Sequence, residues 1–264
     1  MSRIDDAFVA LKGAGEKALI VYLTAGDPTP ADSLSYLRAA ADGGADIVEV
    51  GIPFSDPTAD GPTIQAASRR AIDGGMTSAG ALALVSAFRR THGTPVVLFG
   101  YYNPFLSYGV RKLCREAREA GADGFLVVDL PPEESGEMRP AVREAGLDWI
   151  PLATPTSGPG RIRRAAEAGS GFLYLVSVTG ITGVRNALPP GLAAWTRGVK
   201  ARTRLPVAVG FGISTPDMAR ETTRFADAAV VGSACVRVVE KCGASRKGPA
   251  ELRRFVHSLK QAMR

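Results

Sequence analysis

A chain of 264 residues, 45% hydrophobic and 22% charged, is large enough to bury a substantial core and fits a globular enzyme. The net charge of +6 comes from basic residues scattered among acids, which argues against nucleic-acid binding. No apolar run approaches the roughly 20 residues of a membrane-spanning helix, and we expect no signal peptide because Asp5 and Asp6 interrupt the N-terminal segment.

Short β-branched runs alternate with amphipathic helical segments along the chain. The eight predicted strands are Ala18–Leu23, Ile47–Ile52, Pro95–Tyr101, Gly124–Leu130, Trp149–Ala153, Phe172–Val178, Val207–Phe211 and Ala228–Gly232. The predicted helices are Pro30–Gly43, Thr63–Gly74, Ala79–Thr91, Val110–Gly121, Pro132–Gly146, Arg161–Gly169, Leu192–Arg202, Thr215–Arg224 and Pro249–Arg264. Several of these helices end at a glycine, as helix C-termini often do.

Eight strand–helix units predict a closed TIM barrel, (β/α)₈, in which residues 1–264 form one α/β domain. An open doubly wound sheet is the alternative, but the turn Leu23–Pro28 lacks its GxGxxG spacing. Two connections are unusually long, Pro53–Pro62 and Thr179–Pro190. At the C-terminal end of a barrel such loops are typical lids or binding loops.

A carboxylate, Glu49, stands inside the second predicted strand, where burying a charge is costly. One interpretation is a general acid–base whose pKa is raised by desolvation. The other is a strand-end acid paired with a lysine or a backbone donor. Gly51 and Pro53 favour the first interpretation, because they open space beyond the end of the strand.

A second carboxylate, Asp60, follows in the long loop, far enough along for the loop to fold back over the barrel mouth. Asp56 precedes a proline and is interpreted as a turn residue. Two acids at one mouth divide the work: one transfers a proton, and the other stabilises a developing cation.

Three turns of small residues predict a phosphate site. They are Val178–Gly183, Gly210–Ser214 and Gly232–Ala234, each after one of the last three strands, and the third opens a helix. Small residues let backbone N–H groups approach a phosphate, and barrels often bind phosphate at this position. No lysine or arginine lies inside these turns, so we expect backbone dipoles to meet most of the charge.

Tyr22, Tyr101 and Tyr174 fall inside strand runs, and an aromatic cavity below a phosphate site suggests a flat ring joined to a phosphate. The two histidines lie away from predicted strand ends, so no metal site is expected. The three cysteines form no CxxC pair, which predicts a reduced, cytoplasmic protein.

The chain resembles the family of tryptophan synthase α subunits. The motifs that carry the resemblance are Glu49–Pro57, Ala59–Gln65, Leu23–Pro28, Tyr101–Pro104, Asp129–Ser135, Tyr174–Ser177, Thr182–Gly183, Gly210–Ser214 and Gly232–Ser233. The first motif is the most specific, and the resemblance runs from about Ala18 to Glu240. Thr58 departs from the family, which generally has an apolar residue there, and the segment after Glu240 matches no family pattern.

The resemblance implies a TIM barrel that cleaves indole-3-glycerol phosphate into indole and glyceraldehyde 3-phosphate, without metal or organic cofactor. Glu49 matches the proton-transfer group, and Asp60 matches the residue that stabilises the ring nitrogen. The implied substrate contacts are Tyr22, Tyr101, Asp129, Tyr174 and Thr182. The implied phosphate contacts are Gly183, Gly212, Ile213, Gly232 and Ser233.

The resemblance also implies a β-subunit partner that carries pyridoxal phosphate, in an αββα assembly. The expected contacts are the Pro53–Pro62 loop, Tyr102–Pro104 and Asp129–Ser135. A free-standing lyase that supplies indole to secondary metabolism is the alternative. A catalytically silent subunit is a third possibility, against which the presence of both acids argues.

Overall fold

The computed structural model describes residues 1–176 and 188–264, which contain nine strands and twelve helices. The strands are β1 Ala18–Thr24, β2 Ile47–Gly51, β3 Val96–Gly100, β4 Gly124–Val127, β5 Asp148–Trp149, β6 Leu152–Ala153, β7 Leu173–Val176, β8 Val207–Gly210 and β9 Ala228–Val231. The helices are α1 Arg3–Gly13, α2 Pro30–Asp42, α3 Pro62–Asp73, α4 Ser78–Arg89, α5 Tyr102–Tyr108, α6 Val110–Ala120, α7 Met138–Glu144, α8 Pro159–Ala168, α9 Leu192–Lys200, α10 Pro216–Thr223, α11 Ser233–Cys242 and α12 Gly248–Ala262.

All paired strands are parallel, in the order β5-β4-β3-β2-β1-β9-β8-β7-β6. The ends of this sheet, β5 and β6, are two parts of one predicted strand that Ile150 and Pro151 interrupt. Ile150 N donates to Phe125 O at 2.8 Å, and Pro151 O accepts from Tyr174 N at 2.9 Å. The ladder therefore continues through the interruption and closes the sheet, which confirms the predicted TIM barrel.

Side chains along each strand alternate between the barrel interior and the surrounding helices. Ile20 and Ile47 belong to the interior cluster, whereas Val21 and Val48 belong to the cluster packed against the helices. Glu49 follows Val48 in β2, so the alternation directs its side chain into the barrel. The strand register therefore determines which side chains line the interior of the barrel.

Helix α1 closes the N-terminal end of the barrel and was missing from the sequence-based prediction. Ile4 and Phe8 lie in the interior cluster, and the Phe8 ring lies 5.9 Å from the Phe172 ring between centroids. A capping box of Ser2 and Asp5 starts the helix. This cap and the apolar spacing are the signals that would have predicted it.

Two further helices differ from the prediction. The residues between the third predicted strand and the next predicted helix form the short helix α5. The predicted helix Pro132–Gly146 was wrong at its start, because the segment before Met138 forms turns in which Ser135 Oγ donates to Pro132 O at 2.8 Å. Prolines and a Ser-Gly pair favour turns over a first helical turn.

The predicted C-terminal helix is confirmed as α12, which packs against α2 and α11. Predicted helix ends at Gly43, Gly121 and Gly169 are confirmed, and Gly121 adopts the left-handed conformation with φ of 90°. In residues 1–176 and 188–264 no single helix is long and apolar enough to cross a membrane; only α3 and α4 taken together, bent by 97°, meet that test of length and composition.

Candidate active site

A cavity of about 300 Å³ opens at the C-terminal end of the barrel, where barrel enzymes carry their sites. It is lined by inward-facing strand residues, by the loop after β2 and by the start of α11. Its lining residues are Tyr22, Glu49, Thr58, Ala59, Asp60, Gly61, Ile64, Phe99, Val128, Leu152, Thr154, Tyr174, Val176, Gly210, Gly212, Ile213, Val230, Gly232, Ser233, Ala234 and Arg237. Its size falls at the lower end of the range for small-molecule sites.

Glu49 is fully buried in the floor of this cavity, at 0% exposure. In the described part of the chain neither of its carboxylate oxygens has a hydrogen-bond partner. Burial alone raises its pKa to about 8, because the charged form loses its hydration and gains no compensating contact. The strand-end acid paired with a donor, considered from the sequence, is therefore not what the described residues form. At neutral pH most of the population carries the proton.

Replacing Glu49 with glutamine should stabilise the fold at neutral pH by about 3 kcal/mol. Between the ordinary glutamate pKa and about 8 the unfolded chain has released this proton while the folded chain still holds it. The free energy of unfolding of the wild-type protein therefore falls as pH rises through this window. Glutamine does not titrate, so the variant does not show this decrease. Urea unfolding at pH 5 and pH 8 measures the difference in free energy of unfolding between Glu49→Gln and the wild-type protein. This difference should be small at pH 5 and largest at pH 8.

An exposed glutamate, Glu134, provides the matched control, because Glu134→Gln removes the same charge without changing a buried site. It should change stability by no more than about 0.5 kcal/mol at either pH. Equal stability of Glu49→Gln and the wild-type protein at pH 8 would contradict a desolvated Glu49.

Asp60 lies half-buried on the cavity wall, held by a hydrogen bond from the third predicted strand. Tyr101 Oη donates to Asp60 Oδ2 at 3.0 Å, and Ala59 N donates to the same phenol oxygen at 3.0 Å. Burial raises the pKa of Asp60 to about 6, and the Tyr101 hydrogen bond opposes that shift. Asp60 is therefore mostly ionised at neutral pH, the opposite state to Glu49.

Two buried tyrosines, Tyr22 and Tyr174, stand beside Glu49. Tyr22 is its neighbour in the β1–β2 register and makes a 3.3 Å hydrogen bond with Thr24 Oγ1. A Cβ at Gly51 would lie 2.2 Å from the Tyr22 oxygen, and a Cβ at Gly210 would lie 2.4 Å from the Tyr174 oxygen. The two glycines thus make room for the phenols, and the rings give the cavity flat apolar walls.

The end of the cavity formed after β8 and β9 consists of small residues and a helix N-terminus. Gly212, at a φ of 70°, and Ile213 follow β8, and Gly232 precedes Ser233 at the start of α11. The first amides of a helix have no partner within it and favour an anion. Arg237, one turn further along α11, also lines the cavity, and the sequence analysis missed it.

The predicted site residues fall into three groups. Glu49, Asp60, Tyr22, Tyr174, Gly212, Ile213, Gly232 and Ser233 line the one cavity. Tyr101 and Asp129 do not: Tyr101 reaches the cavity through Asp60, and the exposed Asp129 accepts from Tyr102 N at 2.8 Å at the start of α5. Thr182 and Gly183 lie outside the described residues.

Cys114 and Cys235 are buried free thiols whose pKa burial raises to about 12, which makes them poor nucleophiles at neutral pH. No cluster of three or more His, Cys, Asp or Glu side chains suited to a metal ion occurs in ranges 1–176 and 188–264. The titratable groups in the cavity that have strongly raised pKa values are thus carboxyls and phenols.

Residues 8–264 match the family described as Tryptophan synthase alpha chain. The tryptophan synthase alpha chain of Citrifermentans bemidjiense is 49% identical over 263 residues, which cover 100% of this chain and 98% of the relative. That of Geobacter sulfurreducens is 46% identical over 263 residues, with 100% and 99% covered. The crystal structure of tryptophan synthase subunit alpha from Legionella pneumophila gives a TM-score of 0.92 at 39% identity, covering 100% of this chain and 98% of that one. This chain therefore belongs to the tryptophan synthase alpha chain family.

Proposed function

We propose that this chain cleaves indole-3-glycerol phosphate to indole and glyceraldehyde 3-phosphate, with Glu49 as the proton-transfer group and Asp60 as the electrostatic partner of the ring nitrogen. The lyase reaction is that of the family to which the chain belongs. The observation that carries the assignment is a buried Glu49 that has no hydrogen-bond partner among the described residues and lies in the same cavity as Asp60.

In the first step, protonated Glu49 gives its proton to the ring carbon that bears the glycerol chain. Aromaticity is lost, and positive charge appears at the ring nitrogen. A carboxyl with a pKa of about 8 is well suited to this step, because it is mostly protonated at neutral pH and still releases its proton readily.

In the second step, the Glu49 carboxylate accepts the proton of the substrate hydroxyl. That oxygen forms a C=O bond, the carbon–carbon bond breaks, and its electron pair returns to the ring and neutralises the nitrogen. Glu49 ends in its starting state, so the reaction needs no oxidant or reductant.

Asp60 would stabilise the charge that develops between the two steps. Its carboxylate is mostly ionised near neutral pH, and Tyr101 fixes the orientation of Oδ2. A fixed charge in a water-poor site acts more strongly than one in solution. Tyr22 and Tyr174 would hold the flat ring between them.

The phosphate would lie against Gly212, Ile213, Gly232 and Ser233, where backbone amides and the α11 dipole favour an anion. Thr182 and Gly183 keep their predicted roles as substrate and phosphate contacts. Asp129 does not line the cavity and keeps its predicted role as a substrate contact; its carboxylate accepts a hydrogen bond from Tyr102 N at the start of α5.

We also propose that residues 1–264 are one domain, that the protein is cytoplasmic, and that it works with a β subunit carrying pyridoxal phosphate in an αββα assembly. The predicted contact at Tyr102–Pro104 opens α5, which carries the exposed apolar residue Leu106 (47% exposed). The full-length identity to tryptophan synthase alpha chains favours this proposal over a free-standing lyase.

Steady-state indole release by the purified chain, with and without an added tryptophan synthase β subunit, tests the proposal. We expect slow cleavage by the chain alone and at least about a tenfold stimulation by the β subunit, which would position the loops of the site. Fast cleavage that the β subunit does not change would contradict the partnership. Absence of cleavage under both conditions would contradict the lyase assignment.

A further inference from the structure

Arg237 places a positive charge at one end of the cavity. It lies on α11, four residues after Ser233, a spacing that puts both side chains on the same face of the helix. Side chains on a helix lean toward its N-terminus, so Arg237 leans toward the turn that contains Gly232 and Ser233. Both Arg237 and Ser233 line the cavity and are half-buried.

No ion pair within residues 1–176 and 188–264 involves this guanidinium. The one carboxylate of α11, Glu240, pairs instead with Arg70 Nη1 at 2.9 Å. A half-buried cation without a carboxylate partner is poorly compensated, so an anion in the cavity would find it available.

The two catalytic carboxyls do not engage this cation. Burial alone shifts the pKa of Glu49, and burial together with the Tyr101 hydrogen bond shifts that of Asp60. Asp60 accepts its hydrogen bond from Tyr101, and Glu49 has no hydrogen-bond partner among the described residues, so neither pairs with Arg237. Arg237 lies one turn after Ser233 on α11, at the end of the cavity where Gly232 and Ser233 lie.

We propose that Arg237 is a positioning residue that gives the site its selectivity for a phosphomonoester dianion. This inference rests on the proposed function. Backbone amides at Gly232 and Ser233 bind an anion of either charge, whereas a guanidinium adds charge-assisted hydrogen bonds that favour the doubly charged form. Arg237 thus contributes to binding of the phosphate tail, and the proton-transfer groups are left in place when it is removed.

Replacing Arg237 with methionine tests this role, because methionine keeps an unbranched apolar stem and removes the charge. We expect the KM for indole-3-glycerol phosphate to rise roughly 10- to 100-fold. The kcat at saturation should stay within about threefold, because the proton-transfer groups remain in place. Arg237→Lys should recover much of the lost affinity, since it restores the charge without the planar fork.

The phosphate-free analogue, indole glycerol, provides the readout that a merely structural role would not change. Its kcat/KM should be the same in the wild-type protein and in Arg237→Met. Lys241→Met, an exposed residue on the same helix, is the matched control and should leave both substrates unaffected. An unchanged KM for the phosphorylated substrate, or equal losses with both substrates, would overturn the proposal.

Binding of inorganic phosphate, measured by calorimetry, separates this inference from the proposed function because it requires no turnover. The wild-type protein should bind phosphate more tightly than Arg237→Met by a similar factor, with Lys241→Met like the wild type. If the wild-type chain failed to cleave indole-3-glycerol phosphate, the lyase assignment would fall while this comparison still decided the role of Arg237. Equal phosphate affinity in all three proteins would refute it.

Discussion

Replacing Glu49 with glutamine is expected to lower the kcat for indole release by about 10²- to 10⁴-fold, the range that a positioned general acid–base contributes. Glutamine fills the same volume in the floor of the cavity but neither gives nor accepts a proton at neutral pH. Phosphate binding should be unchanged, because no described residue at the α11 end of the cavity forms a hydrogen bond with the Glu49 carboxyl. Stopped assays of indole and calorimetry with inorganic phosphate measure the two effects.

Glu167→Gln, at an exposed position on α8, is the control for the loss of a glutamate and should have wild-type kcat. Retention of more than about a tenth of the wild-type kcat in Glu49→Gln would contradict the assigned role, since it lies well outside the range for a general acid–base. Loss of phosphate binding together with activity would point to a misfolded site instead of missing chemistry.

Glu49→Gln is thus expected to raise the free energy of unfolding and to lower kcat. Both effects have one cause, the burial of a carboxyl that has no partner among the described residues. Desolvation makes the ionised form unfavourable in the folded state, and this raises the pKa to the range in which the group transfers protons well. Stability is thus lost at the residue to which we assign the proton transfer, as often occurs at active sites.

The fold was predictable because local patterns and the global architecture agree. Each parallel strand is buried on both faces and reads as a short apolar run, as Ile47–Ile52 does. Glu49 interrupts that apolar run, and a carboxylate at such a position predicts a functional residue. The prediction failed where the pattern is weak, as for α1, an 11-residue helix that buries only Ile4 and Phe8.

The site residues were predictable where the residue type itself indicates a chemical role. They were not predictable where the role depends on a contact between residues that are distant in sequence. The spacing between Ser233 and Arg237 is visible in the sequence, but nothing in that pattern shows that both side chains face the cavity. The hydrogen bond between Tyr101 and Asp60 joins two separate connections, so no local pattern contains it. The close approach of Tyr22 to Gly51 is likewise a contact between neighbouring strands.

Replacing Asp60 with asparagine is expected to lower kcat by about 10²- to 10³-fold, comparable to the loss of one preorganised electrostatic group in other enzymes. Asparagine keeps the shape and can still accept the Tyr101 hydrogen bond. It removes the negative charge that would face the ring nitrogen when the ring carbon is protonated. Asp6→Asn, at an exposed position on α1 at the opposite end of the barrel, is the control and should retain wild-type activity.

The pH dependence of kcat/KM distinguishes a charge at Asp60 from a purely structural role. Activity should require ionised Asp60 and protonated Glu49, which gives a bell between about pH 6 and about pH 8. Because the Tyr101 hydrogen bond favours the ionised carboxylate, Tyr101→Phe should move the acid limb to higher pH and leave the basic limb in place. An acid limb that Tyr101→Phe leaves unmoved, or an Asp60→Asn variant with near-normal kcat, would show that the positive charge on the ring is stabilised by another group.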